Sequence, residues 1–182
     1  MMTAEVFYET FRKYFSSEKS ERVRKAYKNK KRALKDKKWT ELMNEVLRDM
    51  MSDNGFERED EQKIGQGRLD EKWQKGGCSV FIEHENVSNV DKLMNEEVRN
   101  LLNSDGDLRV LFTYFYRRER EKQKTLIDGI LKKLKNEKKG RNFEFLLVIG
   151  IGLLETPNDW EAYLYRPTFE YVPIRKEAEV NL

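Results

Sequence analysis

The hydrophobic positions of the chain follow two periods. Val6, Phe7, Phe11, Tyr14 and Phe15 recur every three or four residues and predict a helix over 3–15. A second helix, over 38–52, carries Leu42, Val46, Leu47, Met50 and Met51 on one stripe, and Asp53-Asn54-Gly55 supplies the turn chemistry that ends it. The period then shortens. Strands are predicted at 55–60, 67–74 and 78–86, with Gly76-Gly77 marking a hairpin between the last two. Val90, Leu93, Met94, Val98, Leu101 and Leu102 return to helical spacing over 90–103. The apolar run Leu108–Tyr116 reads as a buried strand, and 119–138 as a helix with Leu126, Ile127, Ile130, Leu131 and Leu134 inward. FEFLLVIGI, residues 143–151, is a second buried strand, followed by late strands at Tyr163–Arg166 and Thr168–Pro173. This order predicts an α/β fold with a mixed sheet under helices on both faces. No repeat, low-complexity stretch or linker divides 38–176. A basic helical extension, 1–37, is expected before that unit and a frayed tail, 177–182, after it.

Composition narrows the chemistry. Of 182 residues, 38% are charged, against about 25% in an average soluble protein. Aromatics make up 12%, too many for a disordered polyelectrolyte. No apolar stretch approaches the ~18–20 residues that span a bilayer, so no membrane partner is expected. The opening MMTAEVFYETFRKYF lacks the apolar core of a secretory signal, and Cys78 is the only cysteine; both suggest the cytoplasm. One cysteine and one histidine cannot supply a four-ligand zinc site. No GxSxG elbow accompanies His84, no GxxxxGK[ST] loop occurs, and VIGIGLLE places Glu155 where a dinucleotide fingerprint needs Gly or Ala. Catalysis, if present, falls to carboxylates, lysines and a metal held by oxygen.

Charge is unevenly spread. Residues 1–52 carry net +6, 53–104 net −5 and 105–182 net +2. The basic excess peaks in RVRKAYKNKKRALKDKK, residues 22–38, with ten Lys or Arg and one acid. Such a run attracts polyanions through counterion release; it also suits a merely solvated helix or tail. In the acidic middle, GRLDEKW alternates so that Asp70 shares a face with Arg68 and Lys72. In CSVFIEHEN, Glu83 and Glu85 share a face, roughly 6–7 Å apart along the strand, with His84 on the other. If the hairpin forms, Asp70 can lie beside both glutamates. Clustered carboxylates repel unless a cation joins them, and an all-oxygen donor set suits Mg²⁺ or Mn²⁺.

These residues, in this order of elements, resemble the PD-(D/E)xK nuclease superfamily, which includes many restriction endonucleases. The resemblance covers about residues 38–150 and implies a restriction-endonuclease-like αβββαβ core. It matches Asp70 to the Asp of the second core strand and Glu83 to the first acid of the tripeptide on the third. Glu85 stands where the family has lysine, giving E-x-E, and Lys72 is the candidate stand-in. The resemblance implies a metal-dependent nuclease that hydrolyses phosphodiester bonds. Asp70, Glu83 and Glu85 would be its metal ligands, and with Lys72 its catalytic set; Glu45 on the preceding helix is a candidate outer contact. DNA is the expected partner, flanked by Arg22, Arg24, Lys25, Lys28, Lys30, Lys31 and Arg32 and by Arg117 and Arg118, and cutting both strands would suit a homodimer. The E-x-E departure keeps open the alternative of an inactive nuclease-fold module that binds nucleic acid or protein.

Overall fold

Thr3 starts the first helix by accepting a hydrogen bond from Val6 N, at 3.3 Å, so an otherwise unpartnered amide of the first turn is satisfied. The computed structural model describes residues 2–21, 24–25, 37–59, 63–64, 67–68, 71–85, 89–136, 143–151, 159–166 and 171–173. Helix α1 (Ala4–Ser16) buries Phe7, Phe11 and Phe15, and α2 (Lys37–Asp53) buries Met43, Val46, Leu47, Met50 and Met51. Both stripes follow the helical period read from the sequence.

The strands are β1 (Glu57–Glu59), β2 (Lys63–Ile64), β3 (Gly67–Arg68), β4 (Glu71–Lys75), β5 (Cys78–Glu85), β6 (Leu108–Phe115), β7 (Glu144–Ile151), β8 (Trp160–Tyr165) and β9 (Tyr171–Pro173). Seven of them form one mixed sheet in the order β1-β4-β5-β6-β7-β8-β9. The central pairs β5–β6 and β6–β7 are parallel, and the outer pairs are antiparallel. The β4–β5 hairpin turns through Gly76 and Gly77, at φ 53° and 77°; two consecutive positive φ angles suit a tight turn that follows strand twist, and glycine adopts them without a steric cost.

Two expectations are corrected. The strand expected over 67–74 is divided: Gly67–Arg68 pairs with Lys63–Ile64 in a separate two-stranded ribbon, and only Glu71–Lys75 joins the main sheet. Lys63 and Arg68 are only five positions apart, so this local pairing closes a very short loop and competes well with lengthening β4. The helix expected over 90–103 is two, α3 (Val90–Asn95) and α4 (Glu97–Asn103), broken at Glu96. Leu93 and Val98 are both fully buried yet five residues apart, a spacing that a straight helix does not keep on one line. The last helix, α5 (Arg120–Asn136), follows a short 3₁₀ turn over Arg117–Glu119.

Helices cover both sheet faces. Under α1 and α2 lie Val80, Ile82, Phe112, Tyr114, Val148 and Trp160; under α3, α4 and α5 lie Phe81, Leu111, Phe115, Phe145, Leu147 and Ile149. Phe11 meets Phe112 and Trp160 with ring centroids 5.0 and 4.9 Å apart, near edge-to-face, and each such fully buried side chain contributes about 1.5–3 kcal/mol. Residues 4–16 are thus integral to the α/β unit rather than an extension of it. No helix among the described residues is long and apolar enough to cross a membrane.

The turn from α4 into β6 is built around two residues. An added Cβ on Gly106 would lie 2.3 Å from a Phe81 ring carbon, so only glycine lets this turn rest on the strand. Arg109 points inward, 2% exposed. It donates to Leu102 O at 3.0 Å, Ser104 O at 2.8 Å and Gly106 O at 3.3 Å. Its guanidinium also lies 3.5 Å from the centre of the Phe143 ring. A cation here meets the negative end of the α4 dipole and carbonyls the helix leaves unpaired.

Candidate active site

The candidate carboxylates stand on the last residues of β5, a central strand. The ladders pair Lys72 with Phe81 and Glu71 with Ile82 on one side, and Glu83 with Leu111 and Glu85 with Thr113 on the other. Strand alternation then puts Phe81, Glu83 and Glu85 on the face covered by α3, α4 and α5, and Ile82 and His84 on the face covered by α1 and α2. This is the shared face expected for the two glutamates. Glu83 is 1% exposed, with Leu111, itself fully buried, beside it on β6.

Glu85 accepts a hydrogen bond from Lys92 Nζ at 2.5 Å. Lys92 stands in the first turn of α3, where Asn89 caps the helix by accepting from Lys92 N at 3.2 Å. The bond to Glu85 raises the Lys92 pKa above its ordinary value, so this ammonium stays charged at neutral pH. Lys72 is only 10% exposed; it pairs with Glu59 at 2.6 Å and lies 5.4 Å from the centre of the Phe81 ring. Two lysines, one per flank, thus share the sheet face of the glutamates. The sequence reading named Lys72 and missed Lys92, whose signal was its place in the helix turn immediately after the E-x-E strand.

Asp70 lies outside the described residues. The described β4–β5 ladder stops at Glu71↔Ile82, the residues that adjoin Asp70 and Glu83 in sequence. Among the described residues, no group of three or more Asp, Glu, His or Cys is placed to hold a metal ion. Glu45 belongs to α2, which covers the face opposite Glu83 and Glu85. The same helix instead sends Asn44 to His84.

His84 is buried among neutral groups. Its Nδ1 lies 2.8 Å from Asn44 Oδ1 and its Nε2 2.6 Å from the Tyr114 hydroxyl, with the Phe112 ring edge-on. An amide oxygen only accepts, so Nδ1 carries the proton and Nε2 accepts from the tyrosine. Burial pushes the pKa down from 6.5 to about 3. The unfolded chain therefore takes up a proton below pH 6.5 that the native state refuses until about pH 3, and stability is lost as pH falls through this window. No second histidine shares it. Between pH 6.5 and 5 the unfolding free energy should drop by roughly 2 kcal/mol, at about 1.4 kcal/mol per pH unit. Urea titrations at several pH values measure this, and His84→Gln should flatten the slope; an equal slope in the variant would assign the acid sensitivity elsewhere.

The expected nucleic-acid contacts divide three ways. Arg22, Lys28, Lys30, Lys31 and Arg32 lie outside the described residues. Arg24 is spent on structure, donating to Phe15 O at the end of α1 and stacking on that ring, and Lys25 pairs with Glu21 at 2.8 Å. Arg117 and Arg118 are exposed just beyond the C-terminal end of β6, the sheet end that also carries Glu83 and Glu85; Arg117 lies 3.8 Å from Asp159 and Arg118 over the exposed Tyr116 ring. Tyr114 and Phe115, which precede them, are buried in the core. An open cavity of about 340 Å³ lined by Met2, Val6, Asn54, Phe56, Lys75 and Cys78 lies at the hairpin end, away from the carboxylates.

The sequence matches no family model and no curated protein.

Proposed function

We propose that the chain is a metal-dependent nuclease of the PD-(D/E)xK type, hydrolysing phosphodiester bonds of nucleic acid, with DNA as the first substrate to test. The observation that carries this reading is the pair Glu83 and Glu85 on one face at the end of a central parallel strand, with Lys92 paired to Glu85 and Lys72 on the same sheet face. Ligand sites in sheets of this kind favour the C-terminal ends of parallel strands. The run α2, β1, β4, β5, α3–α4, β6, with β1–β4–β5 antiparallel and β5–β6 parallel, is compatible with an αβββαβ core.

Carboxylate oxygens are the donors that Mg²⁺ and Mn²⁺ prefer, so the described pair fits such an ion as two of its ligands. Asp70, Glu83 and Glu85 would hold it. When bound, the ion offsets the negative charge that builds on the phosphoryl oxygens. Glu85 orients the attacking water and accepts its proton. Lys92, already charged and held against Glu85, supplies the cation that E-x-E lacks, and Lys72 adds a second on the opposite flank.

The test is cleavage of labelled single- and double-stranded DNA and RNA by the purified chain. Products should form with Mg²⁺ or Mn²⁺ and none with EDTA. Tight binding with no products under any metal would favour the inactive binding module, the reading that the missing tripeptide lysine keeps alive. Neither binding nor cleavage would refute both.

A further inference from the structure

Glu71 lies beside Asp70 in sequence but faces α2, with Trp73, on the other side of the sheet. Its side chain is 2% exposed and meets two arginines from two different elements. Arg48 of α2 contacts Oε1 through Nε and Nη2, both at 2.6 Å. Arg58 of β1 contacts Oε2 through Nε at 2.8 Å. One arginine would neutralise the buried carboxylate; Arg58 sets a second cation against it. Both arginine side chains remain about two-fifths exposed, at 40% and 39%. The contacts to Glu71 leave Nη1 of Arg48 and both Nη groups of Arg58 for other acceptors.

The position is also informative. Arg58 sits across from Trp73, which pairs with Val80, and Glu71 sits across from Ile82, so this pair lies at the β1 edge of the sheet, short of Glu83 and Glu85 along the strands and on the face opposite them. The surrounding segment, residues 53–104, carries net −5. A polyanion that reaches the glutamates around this edge gets no help from bulk charge and needs cations fixed in place. Guanidinium groups held by a buried carboxylate satisfy that need, because their side-chain freedom is already lost before the ligand arrives.

We infer that Arg48 and Arg58, locked by the buried Glu71 carboxylate, form a preset clamp for one backbone phosphate of the nucleic acid. This rests on the nuclease reading for its ligand, and its test uses no catalysis. A fluorescent DNA duplex is titrated with the full chain in EDTA at several salt concentrations, and binding is read by anisotropy.

Glu71→Gln gives the sharpest readout. It raises the net charge by one, so bulk electrostatics alone makes binding tighter. The clamp makes it weaker, because the arginines are released; a severalfold loss is expected. Unchanged or tighter binding by a cooperatively folding Glu71→Gln protein would overturn the inference. Should that variant fail to fold, Arg58→Lys serves, since it keeps the charge and the pairing but loses the planar fork. It should weaken binding severalfold with little change in the salt slope, and wild-type affinity in it would be equally fatal. The double Arg48→Gln, Arg58→Gln variant should lower the slope of log affinity against log salt by about one, the value for a single phosphate; a loss near two would mean separate contacts and no clamp. A clamp that fails while Mg²⁺-dependent cleavage stands removes only this inference, as does a wild type that cleaves nucleic acid yet binds no duplex; a wild type that neither binds nor cleaves single- or double-stranded DNA or RNA removes both.

Discussion

Glu83→Gln is expected to lower Mg²⁺-dependent cleavage at least a hundredfold, under conditions in which the protein still folds. Glutamine keeps the shape and both polar atoms of the side chain but carries no charge. A metal ion contributes several kcal/mol of charge stabilisation in phosphoryl chemistry, and each ~1.4 kcal/mol is a factor of ten in rate. On the proposed reading Glu83, 1% exposed, is one of the ligands, and weakening it removes a large share of that effect. Cleavage assays over a range of Mg²⁺ concentrations test this, with circular dichroism and a cooperative melt as the check on folding. Full activity in the variant would locate the reaction elsewhere. Asp70→Asn should behave alike. Glu85→Lys is different, because it restores the tripeptide lysine but sets a second ammonium against Lys92, now 2.5 Å from the Glu85 carboxylate. Weaker Mg²⁺ binding there marks Glu85 as a ligand; gain of cleavage would mark a lapsed enzyme.

The second large effect is on stability. Arg109→Met should lower the unfolding free energy by about 3–5 kcal/mol, a substantial part of the 5–15 kcal/mol typical of a domain. Methionine fills much of the space, so the loss comes from the carbonyls of Leu102, Ser104 and Gly106, which lose the one guanidinium that bonds all three. For a chain of this size the melting temperature should fall by about 10 °C. Arg109→Lys should recover part of this, since one ammonium keeps the charge but cannot span all three carbonyls. A shift under ~1 kcal/mol for Arg109→Met would mean that water replaces the guanidinium without penalty.

The legible parts of the sequence were those where one period governs. The stripe on α2, the hairpin glycines and the buried strands β6 and β7 follow from spacing and residue type alone. The face shared by Glu83 and Glu85, opposite His84, followed from alternation within a single strand. What escaped depended on partners far along the chain. Arg109 interrupts an apolar run, yet it is buried because α4 ends on it. Glu71 lay on the same side of its strand as Trp73, and only α2 and β1 explain how a charge survives there. Lys92 becomes part of the site through a helix turn whose direction no pattern within β5 encodes. Of the local ribbon, β3 was absorbed into a longer predicted strand because both alternatives satisfy the same alternation, and β2 fell between two predicted strands.

The docking of α1 has a consequence for how the chain reaches its native state. The Tyr8 hydroxyl donates to Trp160 O across 152 residues, and Ala4 N donates to a Glu144 carboxylate oxygen. Phe11 and Phe15 of α1 lack part of their native surface until β8, which carries Trp160, exists. At 5–20 residues per second of synthesis, roughly 8–30 s separate the appearance of Tyr8 from that of Trp160. During that interval an amphipathic helix with a row of aromatic side chains is left without its full seat. Pairings this distant in sequence also slow refolding of the complete chain, because the loop must close before any contact rewards it. On a ribosome the packing of α1 would then be completed only after β8 has emerged.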